Sequence, residues 1–246
     1  MTIRPVLLIR GSGNERDAQS FAARGIPTVS ESFTRITPGE KEAALQLLEL
    51  ATQVNSWVIV TSRNGVDYWN RLVAPRSLAE VLLNNSRLKF AAIGPGSAAA
   101  LKLLGISEVL TPLKQSSEGL LDLLGSYPAS TAIMPVGNLA KNILSEGLRG
   151  KGWTIHTGVV YVNSPVLVLP EAVRGVERGD FSAVLLRSPS AVRAFAHFLP
   201  YSKIPLICGD NSTSDAAREL RLNVLAVADD PSPETIANLV VRTLEE

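Results

Sequence analysis

Six stretches of this sequence set glycine or small hydroxyl residues between an apolar run and the start of a helical pattern. They are Arg10-Gly11-Ser12-Gly13, Thr61-Ser62-Arg63-Asn64, Gly94-Pro95-Gly96-Ser97, Val136-Gly137-Asn138, Ser188-Pro189-Ser190 and Gly209-Asp210-Asn211-Ser212. A helix that opens at such a turn presents unpaired N–H groups and the positive end of its dipole, which suits a carboxylate or a phosphate without a dedicated side chain. Small residues let the ligand approach the backbone. The candidate ligand contacts are therefore Arg10, Gly11, Thr61, Ser62, Arg63, Gly94, Pro95, Gly96, Ser97, Gly137, Asn138, Ser188, Pro189, Ser190, Gly209, Asn211 and Ser212. Taken singly, each turn is also satisfied by capping alone: Ser62 and Ser188 suit an N-cap, worth about 1 kcal/mol, and Pro95 and Pro189 suit a first helical turn. Recurrence is what adds the ligand reading. WVIVTSRNGV at 57–66 is echoed by AVLLRSPSAV at 183–192, and FAAIGPGSAAAL at 90–101 by PLICGDNSTSDAA at 205–217, so two similar α/β halves are expected to face one ligand.

Other chemistries lack material. Only two histidines are present, His156 and His197, too few for a histidine-rich metal cluster, and no GxSxG or paired acidic motif stands out. Gly11-Ser12-Gly13 and Gly94-Pro95-Gly96 do not complete GxGxxG, and no GxxxxGK[ST] occurs, so no nucleotide cofactor is expected. The 24 Lys+Arg against 23 Asp+Glu leave no basic field for nucleic acid, so any polyanion must be met locally. A single cysteine, Cys208, excludes an intrachain disulfide and reads as a small buried hydrophobe. The opening apolar stretch is short for a signal peptide and no run approaches a membrane span, so a cytoplasmic protein with no membrane or nucleic-acid partner is expected, and nothing demands more than a monomer.

The turns must be positioned by the elements around them. Short apolar runs alternate with helical patterns, the signature of parallel sheets covered by helices. Strands are expected at Val6–Arg10, Thr28–Phe33, Trp57–Thr61, Phe90–Ile93, Glu108–Thr111, Thr131–Pro135, Ile155–Val162, Ala183–Arg187, Leu206–Cys208 and Val224–Ala228. Helices over Asn14–Arg24, Ser97–Leu104 and Ser117–Leu124 are stopped by Gly25, Gly105 and Gly125. Two longer, polar-interleaved segments, Thr28–Thr37 and Thr154–Asn163, are closed by Pro38 and Pro165 and are expected to pair with each other outside a parallel sheet. The expected organisation is a split lobe (1–30 and 166–246), an inserted lobe (39–154) and a connecting β-ladder (31–38 and 155–165).

The order of motifs resembles uroporphyrinogen-III synthases: the strand-TS-x-x-x-V run at Val58–Val66, Ala91-Ala92-Ile93-Gly94-Pro95 opening a small-residue helix, Val159-Val160-Tyr161 in the return strand, S-P-S-A-V at Ser188–Val192, and the G-x-x-S turn at Gly209–Ser212. The likeness covers nearly the whole chain. It implies a cofactor-free enzyme of tetrapyrrole synthesis that closes linear hydroxymethylbilane into uroporphyrinogen III, with loss of water and inversion of the last pyrrole ring. The implied fold is two flavodoxin-like α/β lobes joined by a two-stranded β-ladder hinge, with the substrate in the cleft. A substrate with eight carboxylates would be met by helix N-termini and a few cations, for which Arg10, Arg63, Lys141 and Arg187 stand beside strand ends. The resemblance makes Tyr161 the candidate catalytic residue, a phenol able to donate to the departing hydroxyl; packing in a β-rich strand is the competing role. Asp210 departs from the family's threonine-rich turn and sets a negative charge beside Asn211 and Ser212, so it either caps the helix or marks a turn outside the carboxylate site. The alternative reading is a two-lobed small-molecule binding or sensor module without catalysis.

Overall fold

The computed structural model describes residues 4–9, 14–53 and 55–244. The chain begins with β1 (Val6–Ile9), α1 (Asn14–Ala22) and β2 (Thr28–Glu31). It continues through β3 (Thr34–Pro38), α2 (Lys41–Gln53), β4 (Ser56–Val60), α3 (Arg63–Leu72), α4 (Leu78–Asn84), β5 (Lys89–Ala92) and α5 (Pro95–Leu103). There follow α6 (Ser117–Gly125), β6 (Thr131–Gly137), α7 (Ile143–Gly150) and β7 (Thr154–Pro165). The last stretch is α8 (Glu171–Arg178), β8 (Ala183–Leu186), α9 (Pro189–Phe198), β9 (Leu206–Cys208), α10 (Asn211–Glu219), β10 (Val224–Val227) and α11 (Pro233–Leu244). The chain divides into two compact units, residues 1–35 with 164–246, and residues 36–163.

The first unit holds a parallel sheet in the order β10-β9-β8-β1-β2, which read from β2 is the flavodoxin order 2-1-3-4-5. Its central strands VLLI and AVLL are buried at every position, as unbroken apolar runs must be when helices cover both faces. Leu7, Ile9, Val184, Leu186 and Cys208 face α8, α9 and α10, while Val6, Leu8, Ala183, Leu185 and Ile207 face α1 and α11.

The second unit has the order β5-β4-β6-β7-β3. From β5 it repeats 2-1-3-4, and the fifth place is taken by β3, which comes first in the chain. The pairs β4–β5, β4–β6 and β6–β7 are parallel. The partners flanking β3 and β7 run the other way, with the Val166 N–H on the Phe33 carbonyl and the Gly39 N–H on the Val160 carbonyl, so this edge is antiparallel. Helices α2 to α5 cover one face around Trp69 and Leu48, and α6 and α7 cover the other around Trp57 and Trp153.

The structure corrects four expectations. Thr28–Thr37 is not one strand: it breaks at Ser32-Phe33 into β2 and β3, which lie at the edges of different sheets. Phe33 forces the break, because its ring is fully buried among Phe195 and Phe198 of the first unit, while the Ser32 hydroxyl donates to the Thr34 carbonyl and turns the chain. Segment 154–163 does pair with the earlier segment, yet it also sits inside the parallel sheet, because its other edge is matched to β6 from Thr154 to Val159. Glu108–Thr111 yields a single bridge, Leu110 to Ala91, since Pro112 follows and has no N–H to extend a ladder. Finally, the repeat pairs β4–α3 with β8–α9, but by strand order β4 corresponds to β1 and β8 to β6. What recurs is the chemistry of a strand-to-helix turn, not a duplicated position.

Cys208 is wholly buried, and this burial together with the nearby Asp210 carboxylate pushes its thiol up to about 11. The folded state thus holds this proton at pH values where the unfolded thiol, ordinarily ionising near 8.5, has lost it. Its contribution to stability is complete below that value and is lost as pH rises toward 11. Iodoacetamide is expected to leave Cys208 unmodified in the native protein up to about pH 9 and to alkylate it fully after unfolding in urea, as read by intact mass; rapid native alkylation would contradict the burial.

Candidate functional site

In the second unit the strand order reverses about β4, which has β5 on one side and β6 on the other, so the loops after β4 and β6 diverge at its carboxyl edge. Such switch points are where open α/β sheets bind ligands. Ser62 follows β4 there in extended backbone (φ −154°, ψ 150°) and caps α3, its Oγ accepting the Gly65 N–H at 3.0 Å. Gly65 has to lack a side chain, because a Cβ would stand 2.7 Å from the Pro135 carbonyl oxygen of β6.

Tyr161 reaches this point from β7 through a β-bulge. Val136 pairs with Val159, but Gly137 pairs with Tyr161, so Val160 is an extra residue on β7. A strand normally turns consecutive side chains to opposite faces. Here Val160 is fully buried in the core beneath α2 to α5 and Tyr161 packs against that same core. The Tyr161 hydroxyl lies 3.0 Å from Ser62 Oγ. Gly137 makes room for the ring: a Cβ there would stand 2.7 Å from the phenol oxygen. The ring of Tyr68 lies beside it at 6.1 Å, anchored by its hydroxyl on the Ile36 carbonyl (2.9 Å), with the Arg71 guanidinium 5.1 Å from its centroid.

Ser62, Gly137, Asn138 and Tyr161 are thus brought together. Asn138 donates its backbone N–H to the Tyr161 carbonyl at 3.2 Å. The turn Gly94-Pro95-Gly96-Ser97 lies next along the sheet, tied to β4 by the Ile93 N–H on the Val60 carbonyl. Gly94 is the N-cap of α5 and gives no side-chain cap, Pro95 begins the helix, and Ser97 is buried. A Cβ on Gly94 would press on the Gln115 amide oxygen at 2.9 Å. Thr61 is half-buried at the end of β4. Arg63 forms an exposed pair with Asp67 (3.3 Å). Lys141 is exposed; its charge is the smallest of the influences that hold the Glu118 carboxyl below the usual carboxylate range, the first being the Glu118 backbone N–H and the next the Ser116 hydroxyl.

In the first unit Ser188 caps α9, its Oγ accepting from the Ala191 N–H and lying 3.0 Å from Ser190 Oγ, while Pro189 opens the helix. Gly209 sits against Arg187 and its N–H is held by the Leu186 carbonyl. Asp210 caps α10 through the Thr213 N–H (2.7 Å) and accepts from Ser212 Oγ (2.8 Å), which leaves Asn211 as the exposed first residue of that helix. Arg187 is an internal tether and not a spare cation: it pairs with Asp17, which is 1% exposed, and donates to the Pro231 carbonyl. Arg10 and Gly11 lie outside the described residues. Among the described residues no group of three His, Cys, Asp or Glu side chains is placed to hold a metal, and no helix is long and apolar enough to cross a membrane.

Sequence reading missed Gly39, Gly65 and Tyr68. Gly39 packs directly on the backbone of Val159–Tyr161, so close that any Cβ would overlap it. Its sole signal was the Pro-Gly pair between a strand and a helix.

Two flavodoxin-like parallel-sheet units, with hydroxyl-capped helix starts at their strand ends and a phenol–serine pair at one switch point, define a two-sheet α/β protein. The family model described as Uroporphyrinogen-III synthase HemD matches residues 15–238, and the chain belongs to the uroporphyrinogen-III synthase family, whose function lies in tetrapyrrole biosynthesis. Among solved structures, uroporphyrinogen-III synthetase from Helicobacter pylori is similar at 17% identity over 98% of this chain and 99% of that one (TM-score 0.67). A selenomethionine mutant of uroporphyrinogen III synthase from the extremely thermophilic bacterium Thermus thermophilus is similar at 17% identity with the same coverage (TM-score 0.65). The wild-type Thermus thermophilus enzyme in a second crystal form matches at 19% identity over 98% of each chain (TM-score 0.52).

Two outcomes test this geometry. Gly137→Ala should displace the Tyr161 ring and lower turnover at least as far as removal of the phenol oxygen does, with an unchanged far-ultraviolet circular dichroism spectrum. Arg187→Met keeps most of the apolar stem but removes the guanidinium's bonds to Asp17 and to the Pro231 carbonyl, and a stability loss of about 1–3 kcal/mol is expected from urea unfolding.

Proposed function

We propose that this chain is a cyclising hydro-lyase that converts hydroxymethylbilane into uroporphyrinogen III, with Tyr161 as its proton donor. The observation that carries the reading is the hydrogen bond between Ser62 Oγ and the Tyr161 hydroxyl at the β4–β6 switch point. Ser62 Oγ accepts the Gly65 N–H and donates its own hydrogen to the phenol oxygen. The phenol's hydrogen is then available to a ligand. As Tyr161 gives up that proton, the same Ser62 donor stabilises the developing phenolate.

The chemistry balances through one shuttled proton. The C–O bond of the substrate's hydroxymethyl group breaks while Tyr161 protonates the oxygen, and water leaves. The resulting azafulvenium cation is attacked by the substituted α-carbon of the last ring, giving a cationic spiro intermediate; the bond from that carbon to its original bridging methylene then breaks, and the methylene rebonds at the ring's free α-carbon. Loss of the ring-carbon proton restores the phenol. The linear substrate also closes unaided to the wrong isomer, so orientation is the larger task, and enforced geometry can supply several orders of magnitude in rate, about 10⁵ or more in effective molarity.

Carboxylate seats are offered by N–H groups at helix starts, those of α3 and α5 in the second unit and those of α9 and α10 in the first. Side-chain caps occupy one donor each at α3, α9 and α10, through Ser62, Ser188 and Asp210. Helix α5 has a glycine cap and no such competitor, which makes Gly96 and Ser97 the most open seat. Asp210 makes the start of α10 the least favourable of the four.

Tyr161→Phe should lower turnover about tenfold or more while the protein folds normally. The assay supplies freshly made hydroxymethylbilane and scores the type III against the type I product. An excess of type III identifies the synthase, whereas binding of bilane with type I product alone would identify a non-catalytic module and overturn the reading. Unchanged kinetics in Tyr161→Phe would remove Tyr161 from the mechanism.

A further inference from the structure

The bulge that aims Tyr161 is held from both edges of β7. On the β6 side, the Asn138 side chain copies a strand: its Oδ1 accepts the Asn163 N–H at 2.8 Å and its Nδ2 donates to the Asn163 carbonyl at 3.2 Å. Its backbone N–H takes the Tyr161 carbonyl at 3.2 Å. One residue therefore binds the backbone at Tyr161 and again two residues later, beyond the point where β6 ends. On the β3 side, the Gly39 N–H donates to the Val160 carbonyl and the Glu40 N–H to the Val159 carbonyl, both at 2.9 Å. Gly39 also approaches the Val160–Tyr161 peptide more closely than any residue with a Cβ could.

Such double pairing is needed because a bulge removes a residue from the regular ladder and leaves the strand free to slip. A slip of one residue would return Tyr161 to the opposite face of the sheet, away from Ser62. We propose that Asn138 is a positioning residue: with both side-chain bonds spent on Asn163, it acts by locking the β7 bulge, with Gly39 as its counterpart on the other edge, so that the Tyr161 hydroxyl stays within reach of Ser62. The proposal rests on the catalytic reading of Tyr161 for its effect on turnover, but its structural claim stands apart from that reading. It also replaces the expectation that the Asn138 amide contacts substrate.

The test uses the full chain labelled with 3-fluorotyrosine, which reports on four tyrosines, the Tyr161 resonance being assigned by its loss in Tyr161→Phe. Asn138→Ala should shift or broaden the Tyr161 fluorine line and leave those of Tyr127 and Tyr201 in place. Asn138→Asp, which keeps the acceptor for the Asn163 N–H, should fall between wild type and alanine. In kinetics, Asn138→Ala should lower kcat about tenfold with KM changed by less than about twofold, and in the Tyr161→Phe background it should have almost no further effect, as expected for residues acting as one unit. Gly39→Ala, provided that circular dichroism shows it folded, should move the same resonance. An unmoved Tyr161 line in Asn138→Ala would overturn the proposal whatever the activity. So would a rise in KM alone, which would mark a substrate contact, or an equal fall in kcat with and without the phenol. A silent Tyr161→Phe would instead sink the catalytic reading, leaving the fluorine result to decide the positioning claim.

Discussion

Ser62 Oγ serves two partners, and the site depends on both. It accepts the Gly65 N–H, which fixes the first turn of α3 against β6, and it lies 3.0 Å from the Tyr161 hydroxyl. The cap alone would be worth about 1 kcal/mol and would need nothing from β7. The phenol's bond to the same oxygen ties Tyr161 to the start of α3. Joined through one oxygen, they couple the start of a helix on β4 to a side chain on a strand 99 positions later. That coupling requires close approach everywhere around it. Gly65 sits against the Pro135 carbonyl, Gly137 against the phenol and Gly39 against the backbone of Val159–Tyr161. These three glycines are needed for lack of a Cβ and not for an unusual φ.

Charge is handled in the same economical way. A chain with 24 basic and 23 acidic side chains has no surplus to set against a polycarboxylate. Two of the arginines that sequence reading set beside strand ends are already engaged, Arg63 with Asp67 and Arg187 with the buried Asp17. The Arg187 pair joins β8 to α1 and, through the Pro231 carbonyl, to the loop before α11, so its value lies in holding the first unit together. For the proposed substrate, helix N-termini are then the natural anion seats. They offer partial charges that carry little desolvation penalty when empty and need no counter-ion, unlike a cluster of buried guanidinium groups.

The fold was largely legible from period and punctuation. Unbroken apolar runs such as VLLI and AVLL can only be central parallel strands, and Gly25 and Gly105 do stop their helices at positive φ (71° and 90°). The helix starts at Ser62, Gly94, Ser188 and Asp210 were legible too, because capping leaves a local signature. What failed is non-local. Phe33 breaks a β-rich segment because of a core that it forms with Phe195 and Phe198, far along the chain, and nothing near Phe33 announces it. The bulge at Val160 leaves no local trace, since Val159-Val160-Tyr161 reads as an ordinary strand until β6 is laid beside it. The repeat misled for a related reason. A buried strand that ends in a hydroxyl cap looks the same wherever it stands in the order, so β4 and β8 match in sequence while differing in place.

That difference in place accounts for the asymmetry of the two units. Position four is β9 in the first sheet and β7 in the second. Strand β9 is three residues long and turns at Gly209-Asp210 into α10, as a strand followed by its own helix should. Strand β7 is twelve residues long and makes no such turn, because the fifth position is already filled by β3 and the chain continues as strand to Pro165. It therefore passes the carboxyl edge of its sheet, where β6 stops at Gly137, with its backbone still paired. Tyr161 sits at that crossing point. A side chain there reaches the switch point from a rigid strand where the other helix-opening turns use loops, and rigidity is what the proposed proton donor, held against one bond of a reactive substrate, demands.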